Sequence, residues 1–216
     1  MELVSTFLDI VLHLDRHLQW VVANYGVWIY AILFAIIYCE TGFVVTPFLP
    51  GDSLLFVAGT LAAAGDMYVH GLFVVLASAS FLGDNTNYWV GRYAGPRVFS
   101  RQKSRLFNPE HLRRTERFYE KYGAKTIFLA RFMPIVRTFA PFVAGIGRMR
   151  YPTFLFYSFA GSIAWVSSLT YAGFYFGNVP VVKQNLTLVI LAIVLLSISP
   201  AIVEYLRHRS AKVEKR

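Results

Sequence analysis

Two long stretches of this chain, residues 151–182 and residues 184–203, contain no charged side chain. A bilayer's hydrocarbon core needs about 20 consecutive apolar residues from a helix that spans it. Inside that core every backbone group must be satisfied internally, which leaves helices or a closed barrel. The whole chain is 56% hydrophobic and 15% charged, whereas a soluble domain averages roughly 25% charged residues. The expectation is an all-α polytopic membrane protein. The first residues show no basic region running into an apolar segment with a small-residue cleavage site, so no cleaved signal peptide is expected.

The formal charge of +9 is concentrated. Residues 92–125 carry ten Arg or Lys and three Glu, and residues 207–216 carry five more basic side chains. Cytoplasmic loops of membrane proteins collect Lys and Arg, so both segments are expected on the cytoplasmic side. A basic surface also suits nucleic acid, but no nucleic-acid reading motif accompanies it, and no nucleic-acid partner is expected. Cys39 is the single cysteine, which excludes an intrachain disulfide, and no CxxC-type metal spacing occurs. Neither a metal nor a cofactor is expected. The HExxH, GxSxG and P-loop patterns are absent as well, so no catalytic residue is assigned and the chain is not read as an enzyme.

Along the chain the pattern divides into segments. Residues 1–26 intersperse acids, His and Arg among apolar positions and read as an amphipathic surface helix. Residues 27–39 and 53–65 are apolar runs too short for a full span, so 27–65 reads as a re-entrant hairpin with its tip at Pro47, Pro50 and Gly51. A span over 68–93 follows, then a basic cytoplasmic section over 94–123 with its own amphipathic helix. Residues 124–147 read as a second hairpin, broken at Pro134, Pro141 and Gly145. Spans over 151–177 and 186–206 and a basic tail at 207–216 complete the chain.

The two halves resemble each other. The segment TPFLPG at 46–51 echoes APFVAG at 140–145, and each hairpin precedes a span containing a Trp, Trp89 or Trp165. With 94–123 inside, the first hairpin enters the membrane from outside and the second from inside. Opposed broken segments meeting near the midplane are how many transporters build their sites. The expected fold is therefore an inverted repeat with two opposed re-entrant helical hairpins, with the N-terminal helix on the outer face.

Four ionisable residues stand in or beside the hairpins: Glu40, Asp52, Arg131 and Arg137. A charge at mid-membrane costs about 2.5–3.5 kcal/mol on insertion scales, which makes such residues paired and functional as a rule. Each also has a simpler reading. Asp52 sits where a side-chain oxygen would cap a helix, Glu40 at the end of an apolar arm, and the arginines could extend their heads to the inner surface. In the functional reading Arg131 and Arg137 hold an anionic headgroup, since a guanidinium offers phosphate a rigid fork of donors. Burial raises a carboxylate's pKa and a nearby arginine lowers it, so Glu40 is the candidate to shift between protonated and ionised forms as proton coupling requires. Six residues of ideal helix would set the two arginines about 240° apart, and Pro134 between them supplies a kink. Asp84, Asn85 and Asn87 read as hydrogen-bonding contacts between helices and as a secondary polar lining.

The segments ETGFVVTPFLPGDSLLFVAGTLA, GDNTNYWVGRYAG, FYEKYGAKTIFLARFMPIVRTFAPFVAG and YAGFYFG together resemble the bacterial DedA family, also called the SNARE-associated or VTT-domain family. The resemblance runs over nearly the whole chain. It implies opposed re-entrant hairpins in a bacterial cytoplasmic-membrane protein. It also implies a role in returning undecaprenyl phosphate across the membrane for cell-wall synthesis, linked to the proton motive force and envelope integrity. The family's functional acids fall on Glu40 and Asp52 and its arginines on Arg131 and Arg137. The expected function is thus proton-linked translocation of a phosphate-headed lipid carrier, with membrane lipid and protons as partners. A proton-coupled cation or drug antiporter and a membrane scaffold for envelope or division proteins are the alternatives. Oligomeric state is left open, a homo-oligomer among the options.

Overall fold

The computed structural model describes residues 20–21, 24–43, 51–99, 123 and 125–177, together with 179–180, 182, 185, 188–189 and 191–193. Among the described residues the chain forms six principal helices and no strand: α1 (Trp28–Gly42), α2 (Gly51–Ala64), α3 (Val69–Phe99), α4 (Lys125–Ala130), α5 (Pro134–Ile146) and α6 (Tyr151–Phe176). Most of the N-terminal helix expected at 1–26, Pro47 and Pro50 at the first tip, nearly all of the basic section beyond residue 99, most of the span expected at 186–206 and the basic tail lie outside the described residues.

Helices stand at two of the expected spans. α3 starts one residue after the expected 68 and continues six residues past 93, and α6 matches 151–177 to within a residue. At 1.5 Å per residue they measure about 46 and 39 Å, against a hydrocarbon core of about 30 Å. Yet no helix among the described residues is long and apolar enough to cross a membrane by its hydropathy. The reason is composition. α3 carries His70, Asp84, Asn85, Asn87 and Arg92, and α6 is rich in Ser, Tyr and Gly. The segments expected at 68–93 and 151–177 are thus long helices that carry these polar side chains along their length.

Helix ends follow local chemistry. α2 stops at Gly65, whose φ of +96° needs a residue without a Cβ. The Gly65 amide donates to the Ala62 carbonyl and the Asp66 amide to the Leu61 carbonyl, each at 3.2 Å, which closes the end as a Schellman motif. α4 ends differently. The amides of Arg131, Phe132 and Met133 donate to carbonyls three residues back, at 3.3, 3.2 and 3.0 Å, so the last turn tightens. Met133 is then extended (φ −116°, ψ 106°), the conformation a following proline imposes. Pro134 restarts the chain at the first position of α5, where its missing N–H costs nothing. The break thus lies at 131–133, and α4 and α5 pack on each other across it.

Pro141 and Gly145, expected as further breaks, both lie inside α5. Pro141 removes one rung, the N–H that would reach the Arg137 carbonyl, and the helix continues through it. Gly145 serves packing, as the glycine contacts below show.

The chain divides into two compact units. One contains α2 and the last third of α6. The other contains α1 from Tyr30, α3 from His70, α4, α5 and α6 through Ser168. In this second unit the core gathers Tyr88, Ile127, Ala130, Ala140, Ala144 and Phe154. Tyr88 stacks on Phe154 with ring centroids 4.4 Å apart, and its buried hydroxyl donates to the Met149 carbonyl at 2.6 Å, as a buried phenol requires.

Each unit contains a very close glycine crossing, and these two crossings have the same register. In the first unit a Cβ on Gly59 would overlap the Thr170 carbonyl oxygen, and one on Gly173 would overlap that of Phe56. In the second a Cβ on Gly145 would overlap the Tyr88 carbonyl oxygen, and one on Gly91 that of Phe142. Each glycine meets the carbonyl three residues before its partner glycine. Small residues at such points let helix backbones approach, a common device in membrane bundles. The sequence carries the same repeat: FVAG occurs at 56–59 and 142–145, and G-x-Y-x-G at 91–95 and 173–177. APFVAG at 140–145 is therefore matched by LLFVAG at 54–59, not by TPFLPG at 46–51. The same register sets Trp89 opposite Tyr171, so Trp89 and Trp165 are not equivalents.

Gly145→Ala and Gly59→Ala should each destabilise the fold by about 1–3 kcal/mol, the usual cost of overpacking. Thermal unfolding in detergent should show a midpoint several degrees lower. Unchanged midpoints would argue against the close crossings.

Candidate functional site

Arg131 and Arg137 are 4% and 7% exposed. A buried guanidinium keeps its charge and must find acceptors inside the protein. The break between α4 and α5 resolves the facing problem that a continuous helix would pose. Arg131 leaves from the tightened end of α4 and Arg137 from the first turn of α5. Both heads reach the indole of Trp165, with guanidinium carbons 5.8 and 4.4 Å from the ring centroid, within cation–π range.

Each arginine has its own acid. Arg137 donates through Nη2 to Oε1 of Glu40, in the last turns of α1. Glu40 is 1% exposed. Arg131 donates through Nη1 to Oδ2 of Asp84 and through Nη2 to Oγ of Ser80, both on α3. Ser158 of α6 donates to the same Asp84 oxygen at 2.6 Å. Gly161 leaves room for the Arg131 stem, since a Cβ there would stand 3.2 Å from Arg131 Cδ. Two cations and two anions occupy one occluded centre within a single unit, and opposite charge at contact is what makes such burial tolerable.

Asn87 ties the centre together. Its Nδ2 donates to the Thr138 carbonyl at 2.6 Å and the Thr41 carbonyl at 3.2 Å. These carbonyls neighbour Arg137 and Glu40 in sequence, so one amide sets the spacing of α1 and α5 around that ion pair. Asn87 Oδ1 and Arg131 Nε are buried with no hydrogen-bond partner among the described residues.

The structure brings Glu40, Arg131, Arg137, Asp84 and Asn87 together. Asp52 belongs to the other unit, half-buried in the first turn of α2. Asn85 accepts the Tyr151 hydroxyl at 2.9 Å and lines an open groove of about 860 Å³ with Tyr38, Thr86, Trp89 and Tyr93. The acid that pairs with Arg131 is thus Asp84 from the polar group GDNTN. Ser80 and Ser158 were not singled out in the sequence, and Trp165 was read there only as a marker of the repeat. Their spacing held a signal: Ser80 and Asp84 stand four residues apart on α3, and Ser158 and Trp165 seven apart on α6, so each pair shares a helix face.

Glycine-tight helix crossings and an occluded, charge-balanced arginine site define, among the described residues, an all-helical protein with a buried ionic centre. The VTT domain family model matches residues 49–175. The chain is 53% identical over 213 residues to Protein DedA of Escherichia coli (strain K12), covering 98% of this chain and 97% of that one. It is 44% identical over 200 residues to an uncharacterized membrane protein of Mycobacterium tuberculosis (strain H37Rv), covering 90% and 87%. It is 34% identical over 155 residues to Inner membrane protein YqjA of Escherichia coli (strain K12), covering 71% and 70%. No solved structure matches the chain. The chain belongs to the DedA family of VTT-domain membrane proteins.

Arg137→Gln leaves the Glu40 carboxylate buried without its cation and should cost about 3–5 kcal/mol, whereas replacing a whole buried pair is often nearly neutral. The double variant Glu40→Gln with Arg137→Gln should recover most of that loss in detergent unfolding. A double variant as unstable as the sum of the singles would argue against the pair.

Proposed function

We propose that this protein translocates a phosphate-headed lipid carrier, such as undecaprenyl phosphate, across the bacterial cytoplasmic membrane in a proton-linked cycle. The observation that carries the reading is the pair of buried arginines on one indole, each neutralised by its own carboxylate. Two guanidiniums so placed offer a phosphate head several charge-assisted donors. The acids that neutralise them at rest take up protons when the anion replaces them. The hydrocarbon tail stays in lipid while the head crosses.

The names of the relatives support the inner-membrane location. In this reading 27–65 and 124–147 are opposed re-entrant hairpins, and the basic section and the C-terminus face the cytoplasm. Asp52, at the start of α2, serves proton exchange or caps that helix. The protein moves its ligand without covalent chemistry, so it is a transporter and not an enzyme. Its partners are lipid and protons, with no metal or cofactor.

The test is movement of fluorescent polyprenyl phosphate between leaflets of proteoliposomes. Wild type should exceed empty vesicles, and should do so more strongly under an imposed proton gradient. Arg131→Ala and Arg137→Ala should fall to the empty-vesicle rate. Lysine at either position should retain part of the activity, since it keeps the charge and loses the fork. Movement of a soluble cation without lipid would favour an antiporter. An intact envelope phenotype with charge-neutral replacements at Glu40, Asp52, Arg131 and Arg137 would favour a scaffold.

A further inference from the structure

Asp84 holds more of Arg131 than a contact between helices requires. It lies on α3, away from both expected hairpins, and is 2% exposed. Its Oδ2 accepts from Arg131 Nη1 and from Ser158 Oγ. Ser80, one turn earlier on the same helix, accepts from Arg131 Nη2. Both terminal nitrogens of Arg131 are therefore engaged by α3. These nitrogens are also the donors best placed to grip an anion, because a guanidinium binds phosphate through its terminal N–H groups. The hydroxyl of Ser158 supports the Asp84 carboxylate independently of Arg131, so the acid keeps a hydrogen-bond donor when the guanidinium turns away.

We infer that Asp84 is a positioning residue that competes with the anionic ligand for Arg131: it holds the guanidinium in the empty site and yields it when a phosphate group arrives. The inference rests on the phosphate-binding reading above and assigns the second arginine its own release step. Glu40 governs Arg137, and Asp84 governs Arg131. Ligand entry breaks the Asp84–Arg131 ion pair, and ligand release reforms it.

The consequence separates this role from a structural one. Asp84→Asn is isosteric and removes the competing charge, so Arg131 becomes available to the ligand. Dissociation constants for short-chain polyprenyl phosphate in micelles, and for inorganic phosphate, should fall about tenfold, equivalent to roughly 1.4 kcal/mol. Lipid translocation in proteoliposomes should slow, because the ligand is no longer displaced. Ser158→Ala should act in the opposite direction and weaken binding, since Asp84 then depends more heavily on Arg131. A structural role predicts weaker binding in both variants, and that result would overturn the inference.

Should Asp84→Asn fail to fold, infrared difference spectra of wild type labelled with carbon-13 aspartate give a second measurement. Phosphate addition should shift one carboxylate band, the band that Ser158→Ala also moves. An unshifted band would overturn the inference. Tighter inorganic phosphate in Asp84→Asn, with no polyprenyl phosphate bound by any form, would retain this role and refute the lipid reading. Polyprenyl phosphate bound by wild type but more weakly by Asp84→Asn would do the reverse. Binding of neither ligand by wild type would refute both.

Discussion

A guanidinium cannot shed its charge at any accessible pH, and in a site shielded from water it cannot stand without a counter-charge. Two of them, Arg131 and Arg137, sit in one buried centre, and the local structure around them follows from that demand. The chain breaks at 131–133 so that residues six apart can present their heads to one indole. Pro134 fixes the restart of α5, and the absent side chain of Gly161 admits the Arg131 stem. α1 and α3 supply one acid each, and Asn87 holds the ends of α1 and α5 at the spacing the Glu40–Arg137 pair needs.

Two glycine crossings repeat one register where the chemistry around them does not repeat. The glycine crossing of α2 with α6 and that of α5 with α3 share one register, down to the FVAG and G-x-Y-x-G segments that make them. Within that register Arg137 precedes Gly145 by eight residues, and the residue eight before Gly59 is Gly51. Asp84 precedes Gly91 by seven, and the residue seven before Gly173 is Val166. Only the serine survives the comparison, with Ser80 opposite Ser162. The helix contacts are those of a repeat, while the ionic centre belongs to one unit alone. This is consistent with a duplicated frame in which backbone packing and function answer to different residues: glycines set how close helices come, and a few polar positions on the same faces set what the site does.

Much of this was legible in the sequence, for identifiable reasons. Charge in an apolar context is conspicuous, so Glu40, Arg131 and Arg137 drew notice at once, and Pro134 marked the break between the arginines. Helices close to 68–93 and 151–177 followed from long stretches with little charge, while the extension of α3 to Phe99 did not. The pairing did not follow. Asp52 lies close to Glu40 in sequence and suggested itself as the second acid, whereas Arg131 takes Asp84 from a helix 47 residues away. Such a choice depends on which faces of three helices meet, and one sequence does not state that. Pro141 and Gly145 misled because both residue types break helices in isolation. In a packed bundle Gly145 is instead the point of closest approach, and a single proline is accommodated within α5.

Charge balance also explains why the proposed ligand would be linked to protons. With Glu40 and Asp84 ionised, the centre of two arginines is neutral. An anion entering it unaccompanied would leave net negative charge in a medium that solvates charge poorly, at a cost of several kcal/mol per uncompensated ion. Neutrality is kept if each carboxylate that gives up its arginine takes a proton. In the reading proposed here, proton linkage is then no separate device added to a binding site. It follows from building the site of permanent cations and titratable anions, because only the anions can change their charge when the ligand comes and goes.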